Sequence, residues 1–217
     1  MNILVIIGHP FAGSLNHALA HEYAESARNA GANVDVIDLA EDASPDHPRT
    51  LSDVRRARAG SPETIDAHVE DYLARVRAAD HLALFYPMWW GTYPAVLKQF
   101  FDRVLLSGDA YASRAKASDW VRGLKGRTAR ITHTSDSPRL FAKIAYHDAS
   151  IASVKTATLW YTGIKTVGVR HFASVRGSSL ATRQKWIARI GRDGATDAKR
   201  TPNPSKNMLQ ARALVDA

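Results

Sequence analysis

The chain opens with the run that most constrains its fold. Asn2–Ile7 (NILVII) is almost unbroken in apolar character, rich in β-branched residues, and ends at Gly8. A half-exposed strand alternates; a continuous run is how a strand buried on both faces of a parallel sheet reads. A short loop, His9–Ser14, follows it. The next stretch, Asn16–Asn29, predicts a helix, because Leu15, Leu19, Tyr23 and Ala27 recur every four residues and fall on one face. Gly31 then stands where a glycine commonly closes a helix.

The same strand–loop–helix unit repeats along the chain. Asn33–Leu39 alternates as a strand near a sheet edge does. Ile65–Ala78 predicts a helix with Val69, Tyr72, Leu73 and Val76 on one side. His81–Tyr86 (HLALFY) reads as a second buried strand, and Pro94 opens a helix that runs to about Leu105. Arg127–Thr132 predicts a fourth strand, Thr134–Pro138 a turn, and Ile151–Tyr161 a helix that ends at Gly163. Lys165–Ala173 predicts a fifth strand and Ser179–Ile190 a last helix. Residues 40–62 and 106–126 read as long loops.

This alternation implies an α/β fold, a five-stranded parallel sheet with helices on both faces. Right-handed crossovers favour the strand order 2-1-3-4-5, the flavodoxin-like one. Residues 1–190 form the expected domain. From Gly191 to residue 217 the sequence is polar, with Pro and Gly, and reads as a flexible tail.

Composition narrows the chemistry. The 217 residues include no cysteine, which excludes disulfides, thiolate nucleophiles and cysteine metal sites, and fits a reducing cytoplasm. The formal charge of +8 is spread along the chain without a dense run or a nucleic-acid motif. It reads as a solvated basic surface, able to attract anionic ligands, rather than a nucleic-acid interface. The apolar start has no basic flank and no cleavage site, so it is expected to be a strand and not a signal peptide. No run approaches the ~18 apolar residues of a membrane helix, so no membrane insertion is expected.

In such sheets ligands bind beyond the carboxyl ends of the strands, where the strand order reverses. Three loops meet that description. The first, Gly8–Asn16 (GHPFAGSLN), has neither GxGxxG nor a Walker lysine. It still offers His9, the Ser14 hydroxyl, Asn16 and helix N-terminal amides to an anion, although Ser14 could equally be a plain helix cap. The second, Tyr86–Pro94 (YPMWWGTYP), carries two adjacent tryptophans that cannot both face one core. A flat wall against an aromatic ligand is their natural use, and a subunit interface is the alternative. The third, Thr132–Arg139 (THTSDSPR), brings hydroxyls and amides that could border a ring edge, or form an ordinary turn. His17 and His21 lie four apart on the first helix, a metal-compatible spacing, but no third ligand is evident and both read as surface histidines.

These loops, in this order, resemble the NAD(P)H dehydrogenase (quinone) family of flavodoxin-like reductases. The residues that carry the likeness are HPFAGSLN at 9–16, FYPMWWGTYPAVLKQFFDRVLLSGDAY at 85–111 and GIKTVGVRHFASVRGSS at 163–179. The resemblance implies a flavin, FMN or FAD, with NAD(P)H as electron donor and a quinone-like small molecule as acceptor. It implies that His9, Ser14, Leu15 and Asn16 hold the flavin phosphate, and that Pro87, Met88, Trp89, Trp90 and Gly91 pack on the ring. Thr134, Ser135, Asp136 and Ser137 would border the ring. Tyr146 and His147 are the candidates for the family's catalytic Tyr and His, and Tyr111 for its acceptor pocket. The third loop here reads SDSPRLF, without the consecutive glycines that many members carry. A homodimer is expected by the same likeness. The alternative is a non-catalytic flavodoxin-like electron carrier, or a regulatory subunit of a membrane transporter.

Overall fold

The computed structural model describes residues 1–42, 46–55, 66–113 and 120–204. The elements run β1 (Asn2–Ile7), α1 (Leu15–Asn29), β2 (Asn33–Asp38), α2 (Ala67–Ala78), β3 (His81–Pro87) and α3 (Ala95–Val104). They continue with β4 (Tyr111–Ser113), β5 (Trp120–Arg122), β6 (Thr128–Thr134), α4 (Arg139–Ala145) and α5 (Ala149–Ala152). A π-helical segment, Ser153–Trp160, extends α5. β7 (Lys165–Phe172) and α6 (Leu180–Ala198) are the last elements of the described residues.

Five strands form one sheet in the order β2-β1-β3-β6-β7, and every pair is parallel. With β6 and β7 as the fourth and fifth strands, this is the expected flavodoxin-like order. The continuous apolar runs became its middle: from Ile3 to Ile7 and from His81 to Pro87 every residue is buried. β2 alternates because it is an edge strand with one face toward solvent.

Each face of the sheet carries its own apolar layer. Leu4, Ile6, Leu82, Leu84 and Ile131 pack under α2, α3 and the π-helical segment. Ile3, Val5, Ile7, Ala83 and Phe85 pack under α1 and α6, against Leu19, Tyr23 and Ile190. The i, i+4 stripe of α1 therefore faces the sheet as its spacing requires. Each fully buried Leu, Ile, Val or Phe among them contributes roughly 1.5–3 kcal/mol.

Three expectations need correction. The 106–126 loop contains an antiparallel hairpin, β4 with β5; its strands have three residues each, too short for a period to show. The turn after β6 is followed at once by α4, a helix the sequence reading omitted, so the helical region begins at Arg139 rather than near Ile151. The last helix does not stop at Ile190 but continues to Ala198, with Gly191, Asp193, Gly194 and Asp197 buried.

Those two glycines are packing residues. A Cβ on Gly194 would lie 2.4 Å from the Tyr23 carbonyl oxygen of α1. Their small size lets α6 approach α1, and polar composition hid an interior face. The start expected for α2 at Ile65, residues 43–45 and 56–62 of the first long loop, residues 114–119 of the second and the tail from residue 205 lie outside the described residues.

Candidate active site

Three loops converge at the carboxyl ends of β1, β3 and β6, joined by backbone hydrogen bonds. Gly8 N–H donates to Phe85 O at 2.7 Å, and Met88 N–H donates to Thr134 O at 2.7 Å. Gly8 is required at its position, since a Cβ there would meet the Leu97 side chain of α3 at 2.8 Å.

The first loop is built as an anion cradle. The earliest helical bond of α1 is Ala18 N–H to Ser14 O, at 3.1 Å. The amides of Leu15, Asn16 and His17 therefore point out of the helix end, where the helix dipole favours negative charge. Ser14 has N-cap geometry but its side chain caps no amide. Its hydroxyl instead meets His17 Nδ1 at 2.7 Å, and His17 Nε2 meets Asp38 Oδ1 at 3.1 Å. His17 is thus buried between two partners, which corrects its reading as a surface histidine. His9 Nδ1 accepts the Phe11 amide at 3.1 Å, so its ring proton sits on Nε2, a donor at the loop. Burial, and then the neighbouring His17, hold the His9 imidazole below its ordinary pKa.

Asn16 links this loop to the third. Its Nδ2 donates to Thr134 Oγ1 at 3.0 Å. Its Oδ1 is buried without a partner, an acceptor available to a ligand hydroxyl. Ser135 accepts from His171: the Ser135 hydroxyl donates to Ser137 O at 3.0 Å, which leaves its oxygen to receive His171 Nε2–H at 2.7 Å. Asp136 is engaged by the segment that follows β7. Its carboxylate takes the Arg176 amide at 2.8 Å and lies 3.3 Å from the Arg176 guanidinium.

In the second loop the two tryptophans diverge, as adjacent side chains must. Trp89 packs with His9 and Phe11, at ring-centroid distances of 5.8 and 5.6 Å. Trp90 is fully exposed. Trp89 and Thr92 exchange both backbone hydrogen bonds, at 2.8 and 3.0 Å. The two residues between them, Trp90 (φ 52°) and Gly91 (φ 74°), both have positive φ, the requirement of a type I′ turn. Gly91 is packed by Tyr146: a Cβ there would stand 3.4 Å from the Tyr146 ring. Tyr146 is therefore beside the second loop, and the adjacent His147 is exposed with a φ of 50°.

Tyr111 is placed elsewhere. It stacks edge-on with Tyr161 at 5.1 Å and pairs with Arg122 in the β4–β5 hairpin, at the amino-terminal end of the sheet. A groove of about 570 Å³ runs from Tyr93, next to the second loop, past Phe101 to Tyr111. His17, Asp38 and His171 contribute as well, beyond the expected residues. The Ser14–His17 spacing was visible, but the Asp38 and His171 contacts cross strands and leave no local signal.

The geometry matches a known architecture. A family model described as flavodoxin-like fold matches residues 1–192. The chain belongs to the flavodoxin-like fold family. An uncharacterized NAD(P)H oxidoreductase of Haemophilus influenzae is 36% identical over 115 residues, which cover 51% of this chain and 54% of that protein. A ribosyldihydronicotinamide dehydrogenase-like protein of Penicillium crustosum is 34% identical over 120 residues, 50% of this chain and 45% of that protein. The chain thus spans about half the length of the curated relatives it matches. The solved NAD(P)H:quinone oxidoreductase of Methanothermobacter marburgensis superposes with a TM-score of 0.73 at 23% identity, over 90% of this chain and 98% of that one. This last likeness is one of fold. Among the described residues of this flavodoxin-like chain, no group of three metal-ligating side chains is assembled and no helix is long and apolar enough to cross a membrane.

Proposed function

We propose that the chain is a flavin-dependent NAD(P)H oxidoreductase that reduces quinones or similar organic acceptors by hydride transfer. The observation that carries this reading is the junction of an anion cradle at α1 with an aromatic wall, closed by the Met88–Thr134 bond. The residues present fit a phosphate-bearing flavin: free helix-end amides for the phosphate, the buried Asn16 Oδ1 for a hydroxyl, and Pro87, Met88 and Trp89 for a flat ring. When bound, the flavin supplies the redox chemistry, accepting a hydride and returning it.

The chain's own groups do the rest. His9, Ser14, Leu15 and Asn16 hold the phosphate. Thr134 and Ser137 offer hydroxyls along the ring edge, where added negative charge needs donors, and Ser135 shapes that turn through its bonds to Ser137 O and His171. Tyr146, whose ring packs on Gly91, and the adjacent His147 are assigned proton handling. Asp136 acts one step back, by tying the third loop to Arg176. Tyr111 is assigned to the acceptor side through a homodimer. It lies at the far end of the Tyr93 groove from its own cradle, so it borders an acceptor only if a second copy brings it to a partner's loops. A cytoplasmic setting belongs to the same reading.

The test is the visible spectrum of the purified protein, followed by NAD(P)H without and then with menadione. Flavin bands that bleach with NAD(P)H and return with menadione are the expected result. A protein that stays colourless after incubation with FMN and FAD overturns the proposal. Flavin that binds and ignores NAD(P)H makes the chain an electron carrier or a regulatory module instead.

A further inference from the structure

The first loop must hold a phosphate without a permanent cation. Residues 8–17 (GHPFAGSLNH) contain no lysine and no arginine, although the chain as a whole is basic. The positive charge available inside the loop comes from histidine alone. Of the two histidines, His9 resists protonation because of burial and of His17 beside it. His17 stands in a hydrogen-bonded line, with a carboxylate 3.1 Å from one nitrogen and a serine hydroxyl 2.7 Å from the other.

The hydrogen positions in that line follow from its chemistry. Asp38 Oδ1 is an acceptor, so neutral His17 carries its proton on Nε2 and donates it to Asp38. His17 Nδ1 is then an acceptor, and the Ser14 hydroxyl donates to it. In this state Ser14 has no proton to offer a ligand and presents lone pairs toward the cradle. An incoming phosphate dianion would meet those lone pairs. The conflict ends if His17 takes up one proton, on Nδ1. His17 then donates to both Ser14 and Asp38, and the Ser14 hydroxyl turns to donate to the phosphate. Charges alternate along the line: phosphate, imidazolium, carboxylate.

We infer that the Ser14–His17–Asp38 line makes phosphate binding in the first loop proton-coupled, and so fits the loop to a dianionic phosphomonoester, the group FMN carries. The inference rests on the flavin reading above and deepens it. His17 and Asp38 act through Ser14 and are positioning residues. The titratable groups around His17 are His9, whose ring centroid is 5.9 Å away, and Asp38, with Asp42 behind it accepting the Asp38 amide at 2.9 Å. Asp38 is itself held in place by the Ala40 amide, which donates to its Oδ1 at 3.0 Å. The His17 side chain is buried, so a charge on it needs the phosphate on one side and Asp38 on the other to balance it.

The experiment is calorimetric titration of flavin-free protein with FMN at pH 8, in two buffers of different ionisation enthalpy. At that pH the second ionisation of a phosphomonoester, near ~6, is complete, so any proton taken up goes to the protein. The expected result is uptake approaching one proton per FMN, and a dissociation constant that rises up to about tenfold per pH unit above neutrality. Riboflavin, which lacks the phosphate, should bind without uptake. His17→Gln should keep measurable FMN binding and lose the pH slope, and Asp38→Asn should weaken the uptake. Circular dichroism of each variant separates these effects from misfolding. FMN binding with no uptake at pH 8, uptake that persists in His17→Gln, or equal uptake with riboflavin overturns the inference and leaves the flavin reading intact. Failure of the wild-type protein to bind FMN, riboflavin or FAD at all overturns both.

Discussion

Arg130 of β6 grips Asp197 of α6 inside the protein, with Nε 2.5 Å and Nη2 3.1 Å from the two carboxylate oxygens. Tyr23 Oη donates to the same carboxylate at 3.0 Å, Arg200 Nε at 2.7 Å, and His81 Nε2 lies 3.4 Å away. Burial alone would raise the Asp197 pKa; the hydrogen bonds and positive partners outweigh it and keep the carboxyl well below its ordinary range. Asp197→Ala breaks this buried pair and leaves Arg130 only the longer contact with Asp193, at 3.5 Å; breaking a buried pair typically costs about 3–5 kcal/mol. Urea denaturation should show that loss, with α6 released from the sheet. An unchanged midpoint would mean that the cluster contributes nothing to stability.

The close approach of α1 and α6 makes a second, steric prediction. Gly194→Ala puts a methyl group 2.4 Å from the Tyr23 carbonyl oxygen, and backbone cannot yield as a flexible side chain does. A loss of about 1–3 kcal/mol is expected, the usual range for overpacking. Gly177→Ala is the control: its added Cβ would have no neighbour nearer than 3.9 Å. Equal melting temperatures for the two variants would show that α6 can shift without penalty.

The sheet was legible because its central strands are buried on both faces, which leaves runs such as NILVII and HLALFY with no other physical reading. The phosphate and ring loops were legible because they interrupt those runs with residues a core does not use. The interior face of residues 191–198 was not legible. Its buried residues are glycines and aspartates, whose partners, Tyr23, Arg130 and Arg170, come from distant parts of the chain. The same holds for the site's support. Ser14 looks like a helix cap in sequence, and only the approach of Asp38 at the end of β2 makes His17 compete for its hydroxyl.

Acid should weaken the fold through His133. Burial, then the proximity of His171 and Arg139, lower its pKa from 6.5 to about 3. Both of its ring nitrogens are buried without a partner. Below pH 6.5 the unfolded chain binds a proton that the folded chain refuses, so stability falls as pH drops toward 3. The slope from this one residue is at most about 1.4 kcal/mol per pH unit. At pH 5 the loss should approach about 2 kcal/mol relative to pH 7. His171, also lowered by burial first, adds in the same direction. Denaturation of His133→Leu at both pH values should show a smaller difference than wild type. A difference of the same size would assign the acid sensitivity to other groups.

Trp90 combines full exposure with a left-handed backbone, and a fold gains nothing from either. A bulky residue at φ 52° is uncommon and costs of order 1 kcal/mol, while its indole touches no apolar surface that could offset that cost. Trp89, its neighbour, already supplies the contact with His9 and Phe11. Trp90→Gly should therefore relieve the turn, leaving stability unchanged or raised by up to about 1 kcal/mol. The second loop keeps its type I′ geometry, because glycine adopts positive φ freely. If the indole serves the acceptor side, menadione reduction falls in this variant with a raised KM, while FMN affinity changes little. If it serves only as part of the flavin wall, FMN affinity falls and the KM for menadione holds. A variant with both quantities at wild-type values would remove Trp90 from the site, leaving the strained turn without a functional reason.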